Sequence, residues 1–250
     1  MSVYSDFGEL YDAWIGGSEL AQLNQAFYLA QYAGCVGDVV ELGVGNGRIL
    51  LEAAEMGVSC IGIDSCAELL AQCKTSALAR GLANKLSLQL ADFRSFTLER
   101  PAELISIPWH SFQHLLDHQA QSQTLSNIFH QLEPGGRLIF DTFRFDDAFL
   151  ASASAQPGCR SVFTDSCGQI RQLWTDARGD KQRAQVVLGI WTDAPDSRRI
   201  ELALRWTTAQ EIETLLHDQG FELIACYDGY FEQPRSAATR EEIWIAERSA

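Results

Sequence analysis

A glycine-rich stretch and a group of histidines are the parts of this 250-residue sequence whose residue types could do chemistry. Glycines stand at positions 43, 45 and 47, directly after the short run VVEL, and Glu41 precedes the first of them by two positions. A strand that ends in alternate glycines and opens a helix lets the backbone approach a nucleotide-like ligand closely. The stretch therefore predicts a ligand-binding turn.

The spacing of these glycines indicates which ligand the turn would take. A dinucleotide-binding turn needs G-x-G-x-x-G, and its third glycine would fall at position 48, which is Arg48. The carboxylate of Glu41 would oppose a pyrophosphate, whereas it suits a cationic ligand. S-adenosylmethionine carries a sulfonium and an ammonium group and no phosphate, so it fits this turn. The alternative is that the glycines only make a tight turn.

The histidines are concentrated in one segment, since four of the five lie between positions 110 and 130. His110, His114 and His118 are spaced so that they would line one face of a continuous helix. Such spacing can bind zinc, but Ser111 stands where a zinc-protease motif has its glutamate. We therefore predict no metal site, and the alternative for these histidines is a plain surface or core position.

Strand-length apolar runs alternate with segments of helical period from residue 37 onward, which predicts an α/β fold with a doubly wound, mostly parallel sheet. Two segments have the form of a capping box at the start of a helix, Ser65 to Glu68 and Thr208 to Glu211. The predicted strands are 39–42, 58–63, 86–90, 103–107, 137–143, 221–227 and 243–247, and the predicted helices are 48–56, 65–81, 125–132 and 208–220.

Between residues 161 and 206 the pattern changes to short alternating runs with turn residues between them, which predicts an antiparallel β insertion. Residues 152–158 are the expected flexible connection that leads to it. We expect an N-terminal helical lid at 1–36, a ligand-binding α/β core at 37–149, the β insertion at 150–206 on the acceptor side or at a dimer contact, and the C-terminal part of the core at 207–250.

The segment VVELGVGNGRI resembles the first motif of the class I S-adenosylmethionine-dependent methyltransferases. Three later segments, LQLADFRSF, ELISIPWHSFQHL and EPGGRLIFDTF, are similar to the third- to fifth-strand motifs of that family, and DQGFELIACY with EEIWIAE resembles its C-terminal strand pair. Glu103 departs mildly from the family, which often has Asp at the start of the fourth strand. The resemblance implies a seven-stranded Rossmann-like sheet, S-adenosylmethionine as cofactor and a small-molecule methyltransferase.

The resemblance also implies roles for individual residues. Asp64 would accept hydrogen bonds from both ribose hydroxyls, and Asp92 would face the adenine amino group with Phe93 nearby. Tyr4, Tyr11 and Trp14 lie where a tyrosine hydroxyl could bind the methionine carboxylate, or where the aromatic rings would simply pack a lid helix. The candidate cofactor-binding residues are Tyr11, Glu41, Gly43, Gly45, Gly47, Asp64, Ser65, Asp92, Phe93 and Ile107.

The loop after the fourth strand would border the methyl donor, so its histidines are the catalytic candidates. An imidazole titrates near neutral pH, and we predict that His110 acts as a base. His114 is the second candidate, although it resembles a position that helps to pack this loop in related enzymes. Trp109, Arg144 and Trp174 are the candidate acceptor-binding residues, with a core position as the alternative for Trp174.

Charge and composition argue against several classes of partner. The formal net charge is −14, which gives no electrostatic attraction for a nucleic acid. The segment from Ser106 to Trp109 also lacks the Asn or Asp that adenine methyltransferases use. No apolar run approaches the length of a membrane span, the N-terminal region is acidic, and the seven cysteines form no CxxC pair. We therefore expect a cytoplasmic monomer or homodimer with buried thiols and no nucleic-acid or membrane partner.

The leading hypothesis for the function is methyl transfer from S-adenosylmethionine to nitrogen or oxygen of a small-molecule acceptor. An enzyme that consumes S-adenosylmethionine without methylation, by cyclising or cleaving it, would keep the same glycine turn. A non-catalytic binding protein with a methyltransferase-like core is the third possibility.

Overall fold

The computed structural model describes residues 10–15, 18–155, 157–165 and 167–249. The chain divides into two compact units, a smaller one from residues 1–22 and 145–206 and a larger one from residues 23–144 and 207–250. In chain order the elements are α1 (Leu10–Ile15), α2 (Glu19–Ala33), β1 (Val39–Leu42), α3 (Leu50–Glu55), β2 (Cys60–Asp64), α4 (Ala67–Ala79), β3 (Leu86–Leu90), β4 (Ala102–Ile107), α5 (His118–Gln131), β5 (Leu132–Phe143), α6 (Asp147–Ala155), β6 (Gly158–Thr164), β7 (Ile170–Asp180), β8 (Gln185–Thr192), β9 (Ile200–Arg205), α7 (Ala209–Asp218), β10 (Phe221–Asp228), β11 (Gln233–Pro234) and β12 (Glu241–Arg248).

The larger unit is built on one eight-stranded sheet with the order β11-β10-β12-β5-β4-β1-β2-β3. Strands β1 to β5 are parallel, and β12 runs antiparallel to both β5 and β10. The strand order reverses at β1, whose neighbours are β2 and β4, and such a reversal opens a crevice at the carboxyl ends of the strands. The predicted mostly parallel sheet is confirmed, and the two-residue β11 is added to the expected seven strands.

Burial explains why these segments form strands. All four residues of β1 are buried, as expected for a central parallel strand that is covered on both faces. The edge strand β3 is only partly buried. Behind the sheet edge, the rings of Phe112 and Phe140 lie 4.8 Å apart, and Phe140 stacks on Trp244 at 6.2 Å. These aromatic rings join β5 and β12 to the turn that follows β4.

The smaller unit contains a four-stranded antiparallel sheet with the order β6-β7-β8-β9. Its core consists of Leu173, Ile190 and Ile200, and Tyr11 and Trp14 of α1 pack against it. The predicted antiparallel β insertion is therefore confirmed. Helix α6 was not predicted and occupies most of the expected flexible connection at 152–158, so that prediction is wrong.

The compact units divide between residues 22 and 23, 144 and 145, and 206 and 207. The functional regions expected from the sequence stay predictions. No helix within the described ranges is long and apolar enough to cross a membrane. All the cysteines are free. The expectation of buried thiols is correct for Cys60, Cys66 and Cys73, but wrong for Cys159 and Cys167, which are exposed.

Candidate active site

The glycine turn lies at the carboxyl end of β1, where the strand order reverses. Gly43 donates its backbone N–H to the carbonyl of Ile63 at 2.8 Å, which joins the turn to β2. The φ angles of Gly43, Gly45 and Gly47 are +78°, +56° and +90°, in the region that favours glycine. A Cβ on Gly43 would lie 2.8 Å from Ser111 Oγ, so a side chain there would force this close packing apart.

Asp64 ends β2 and holds this turn from the side. Its Oδ2 accepts the N–H of Gly45 at 2.8 Å, and its Oδ1 accepts the N–H of Cys66 at 2.8 Å. Burial raises the pKa of Asp64, and the backbone N–H groups oppose that rise. The predicted capping box of Ser65 is wrong, because α4 is capped at Cys66 without a side-chain hydrogen bond and Ser65 is exposed.

Glu41 is buried beside the turn and is held by α2. The phenol of Tyr32 donates to Glu41 Oε2 at 3.1 Å and shares a hydrogen bond of 2.5 Å with the hydroxyl of Ser106 on β4. Burial raises the pKa of Glu41 to about 8, although the positive charge of Arg48 opposes the rise. The carboxyl group therefore lies in an environment where a ligand cation would favour its charged form.

The residues after β3 flank the same turn. Phe93 lies beside Gly43, since a Cβ on that glycine would be 3.4 Å from Phe93 Cζ. Asp92 forms an ion pair with Arg94 at 2.6 Å, and the hydrogen bonds from Arg94 lower the pKa of Asp92. Ile107 ends β4 and is fully buried. The cofactor candidates of the larger unit thus lie at the carboxyl ends of β1 to β4.

The loop after β4 turns sharply at Trp109 and His110, which both have left-handed backbone conformations with φ of 57° and 60°. Their rings are stacked with centroids 5.6 Å apart. The guanidinium of Arg48 lies 5.3 Å above the Trp109 ring and donates to Asn24 Oδ1 at 2.5 Å. Arg48 and Asn24 were not predicted from the sequence, where no local pattern marks them.

His110 is paired with an acid that the sequence did not indicate. Its Nε2 lies 2.6 Å from Glu241 Oε2 and 3.8 Å from Asp141 Oδ1. The three residues come from neighbouring strand ends, because β4, β5 and β12 are adjacent in the sheet. The side chains of His110 and Glu241 keep 17% and 13% exposure, so the pair is accessible to a small ligand. An acid inside the buried run RLIFDTF was a sequence signal for Asp141.

The other candidate residues are not all brought to this place. His114 ends a 3₁₀ turn, and His118 begins α5, so the continuous helix on which they would share a face with His110 does not form. The guanidinium of Arg144 donates to the carbonyl of Ala237. Tyr11 and Trp174 belong to the smaller unit, Tyr4 lies outside the described residues, and their roles stay predictions. The described residues hold no cluster of His, Cys, Asp and Glu suited to a metal ion.

Comparisons with known proteins agree with this geometry. Residues 39–136 match the family model of a methyltransferase domain. The core of this chain is an S-adenosylmethionine-dependent methyltransferase domain. The match spans the glycine turn, Asp64, Asp92 and the loop of His110.

Relatives of the methyltransferase extend over most of the chain. The cypemycin N-terminal methyltransferase of Streptomyces sp is 23% identical over 211 residues, which are 84% of this chain and 82% of that protein. The CcbJ methyltransferase of Streptomyces caelestis has the same fold, with a TM-score of 0.85, 20% identity and coverage of 100% of this chain and 99% of that chain. The S-adenosylmethionine-bound CalS10, an amino pentose methyltransferase from Micromonospora echinaspora, has a TM-score of 0.70, 16% identity and coverage of 100% and 98%.

S-adenosylmethionine is the cofactor of the methyltransferase, and the residues at the sheet edge fit it. The glycines of the turn have left-handed backbone conformations and carry no Cβ, so the backbone beside Phe93 is not covered by side chains of the turn. Asp64 Oδ2 accepts the N–H of Gly45 and Oδ1 accepts the N–H of Cys66, and a carboxylate oxygen can accept more than one hydrogen bond. Asp64 would therefore hold a diol, and Glu41 would face a cationic group.

Proposed function

We propose that the protein methylates the nitrogen of a small-molecule amine, with His110 as the base and Glu241 as its partner. The observation that supports this proposal is the 2.6 Å contact between His110 Nε2 and Glu241 Oε2 at the end of β4. S-adenosylmethionine supplies, when bound, a methyl group on a sulfonium that is open to attack by a nucleophile. The residues of the chain have to deliver a nitrogen lone pair in line with that group.

His110 would take the proton that an ammonium acceptor must lose. A neutral imidazole has one N–H donor and one lone pair, so a Glu241 carboxylate that accepts from Nε2 assigns the lone pair to Nδ1. The same carboxylate stabilises the imidazolium that forms when the proton arrives. This is the arrangement in which an acid orients and supports a histidine base.

The charges around the site favour a cationic acceptor over a phenol. Glu241 and Asp141 both lie within 4 Å of the His110 ring nitrogen, and the chain as a whole carries a net charge of −14. An acidic surrounding raises the local concentration of cations. The names of the cypemycin N-terminal methyltransferase and the amino pentose methyltransferase CalS10 point to amine acceptors for those relatives.

The test is product analysis with and without acceptors. The protein is incubated with S-adenosylmethionine alone, then with a panel of amino sugars, peptide α-amines and phenols of matched size. We expect S-adenosylhomocysteine to form only with amines, together with an N-methylated product. Methylation of phenols alone would contradict the choice of nitrogen. Methylthioadenosine in the absence of acceptor would indicate a cleaving or cyclising enzyme, and no product with any acceptor would leave a binding protein.

A further inference from the structure

The turn at Trp109 and His110 is conformationally costly. Within the described part of the chain, these are the only two consecutive non-glycine residues with positive φ, at 57° and 60°. The left-handed region is unfavourable for a residue with a Cβ, and a bulky side chain such as tryptophan rarely adopts it. Strain of this kind persists only where surrounding groups hold it in place.

Asp141 is the group that holds this turn. Its Oδ2 accepts the backbone N–H of Trp109 at 3.0 Å, and its Oδ1 accepts the backbone N–H of His110 at 2.5 Å. Successive N–H groups in such a turn form a concave site for an anion, and here the anion is a side chain of the neighbouring strand β5. Each left-handed residue is therefore tied to one carboxylate oxygen.

The carboxylate is fixed in turn by helix α2. The phenol of Tyr28 donates to Asp141 Oδ2 at 2.9 Å, and the amide of Asn24 donates to the same oxygen at 3.0 Å. Asp141 is fully buried, so water does not compete for these hydrogen bonds. Oδ2 thus accepts from three donors and Oδ1 accepts from the His110 N–H, which sets the direction in which the turn leaves β4.

We propose that Asp141 is a positioning residue for methyl transfer, which acts by holding Trp109 and His110 in the left-handed turn that aims the His110 imidazole at Glu241. The proposal rests on the proposed function, because Asp141 would act on the reaction through His110. It assigns Asp141 no contact with the cofactor or the acceptor.

An asparagine at position 141 keeps the size of the side chain but exchanges one hydrogen-bond acceptor for a donor, and it also removes the negative charge that lies 3.8 Å from His110 Nε2. The amide oxygen of Asp141→Asn would satisfy the three donors at Oδ2, which leaves the amide NH₂ group facing the N–H of His110. Two donors then oppose each other where one hydrogen bond existed, so the turn at His110 should open while the rest of the contacts persist. Tyr28→Phe is the matched control, because it removes one donor to the same carboxylate and leaves both turn hydrogen bonds in place.

The experiment compares kcat, acceptor KM, donor affinity and melting temperature of the two variants. A displacement of about 1 Å in a catalytic group can cost about 10²-fold in rate, so we expect kcat of Asp141→Asn to fall by about that factor. Donor affinity should stay at the value of the parent protein, and Tyr28→Phe, which leaves both turn hydrogen bonds in place, should lose much less kcat than Asp141→Asn. A loss of kcat no greater than that of Tyr28→Phe would overturn the proposal.

A double-mutant cycle with His110→Gln tests the route of the effect. If Asp141 acts through His110, the double variant should be no slower than His110→Gln alone, because coupled residues are not additive. Effects that multiply would overturn the role of Asp141 while leaving His110 as the base. A His110→Gln variant of full activity would instead overturn the proposed function, so the two failures are distinguishable.

A measurement on the unmodified protein covers the case in which Asp141→Asn does not fold. An amide that donates to a buried carboxylate is expected to resonate far downfield and to exchange slowly with solvent. The His110 amide should show both properties in an NMR spectrum of the parent protein. An exchange rate equal to that of exposed loop amides would overturn the proposal.

Discussion

Tyr32 on α2 donates a hydrogen bond of 3.1 Å to the buried carboxyl group of Glu41. Tyr28, four residues earlier on the same helix, donates a hydrogen bond to the buried carboxyl group of Asp141. Two phenols on one helix face thus reach two buried acids of the sheet, one beside the glycine turn and one behind the loop of His110. Helix α2 therefore supports the cofactor side and the proposed acceptor side of the methyltransferase together.

Glu41 should make stability depend on pH. Burial raises the pKa of this carboxyl group from 4.5 to about 8, so the folded state keeps a proton that the unfolded chain has lost. Its contribution is fully present below the unfolded pKa and declines as pH rises to about 8. The difference in unfolding free energy between the parent and Glu41→Gln should change by at most about 1.4 kcal/mol per pH unit across this window. Urea unfolding at pH values within and outside the window measures it, and a difference that stays constant would contradict the assignment.

Glu41 should also couple cofactor binding to proton release. A sulfonium or ammonium group near Glu41 favours the carboxylate, so binding near neutral pH is expected to lower the pKa of Glu41 and release a proton. Calorimetry in two buffers of different ionisation enthalpy detects this as a difference in the observed heat. Glu41→Gln is the control, because it has no carboxyl group at position 41 that could release a proton, and its binding heat should not depend on the buffer through this residue. Equal heats for the parent protein would place the cation elsewhere.

Gly45→Ala should weaken binding of S-adenosylmethionine, because we expect the cofactor to approach the backbone of this glycine turn closely. Gly81→Ala is the matched control, since Gly81 also has a positive φ of +71° and a Cβ on it would meet no atom within 4 Å. Each substitution should cost about 1–2 kcal/mol of stability from the left-handed backbone. Only Gly45→Ala should lose donor affinity in calorimetry, and equal affinities would remove the turn from the site.

Asp64→Asn should lower donor affinity by at least about tenfold, because a charge-assisted hydrogen bond contributes about 1.5–3 kcal/mol at most. Stability should fall as well, since Asp64 also holds the N–H of Gly45. Asp38→Asn provides the comparison, because Asp38 is a buried acid that pairs with Arg100. A donor affinity that changes equally in both variants would show that the effect comes from stability alone.

Glu241→Gln should lower kcat with little change in donor affinity, because the amide no longer stabilises an imidazolium on His110. We expect kcat to fall by at least about tenfold, but by less than the 10²–10⁴-fold that general-base catalysis contributes as a whole. Glu242→Gln is the control, since Glu242 is buried, pairs with Arg235 and points to the other face of β12. Steady-state kinetics with a saturating amine separate the two, and equal rates would remove Glu241 from the reaction.

The predictions that succeeded rest on local signals. The glycine turn and the alternation of strands and helices are determined by residues that are close together in sequence. The capping box of Thr208 and Glu211 also forms as expected. Such features need only a few residues in sequence. They were enough to predict the mostly parallel sheet, the antiparallel insertion and the cofactor.

The features that sequence analysis missed depend on contacts between distant segments. Glu241 meets His110 across 131 positions, and no local pattern distinguishes it from the other acids of the chain. The histidines do not share one helix face, because the backbone is left-handed at Trp109 and His110, where Asp141 accepts both N–H groups, and α5 begins only at His118. The capping box at Ser65 did not form, because α4 begins one residue later than predicted, with Cys66 at the N-cap position.

The rate of His110→Gln with a saturating amine, measured across pH, tests the account most directly. General-base assistance contributes about 10²–10⁴-fold, so kcat should fall by about that factor while donor affinity is retained. The acidic limb of the pH–rate profile, which reports loss of the neutral imidazole, should disappear in the variant. A variant that works at the full rate of the parent, with its acidic limb intact, would contradict His110 as the base of this methyltransferase.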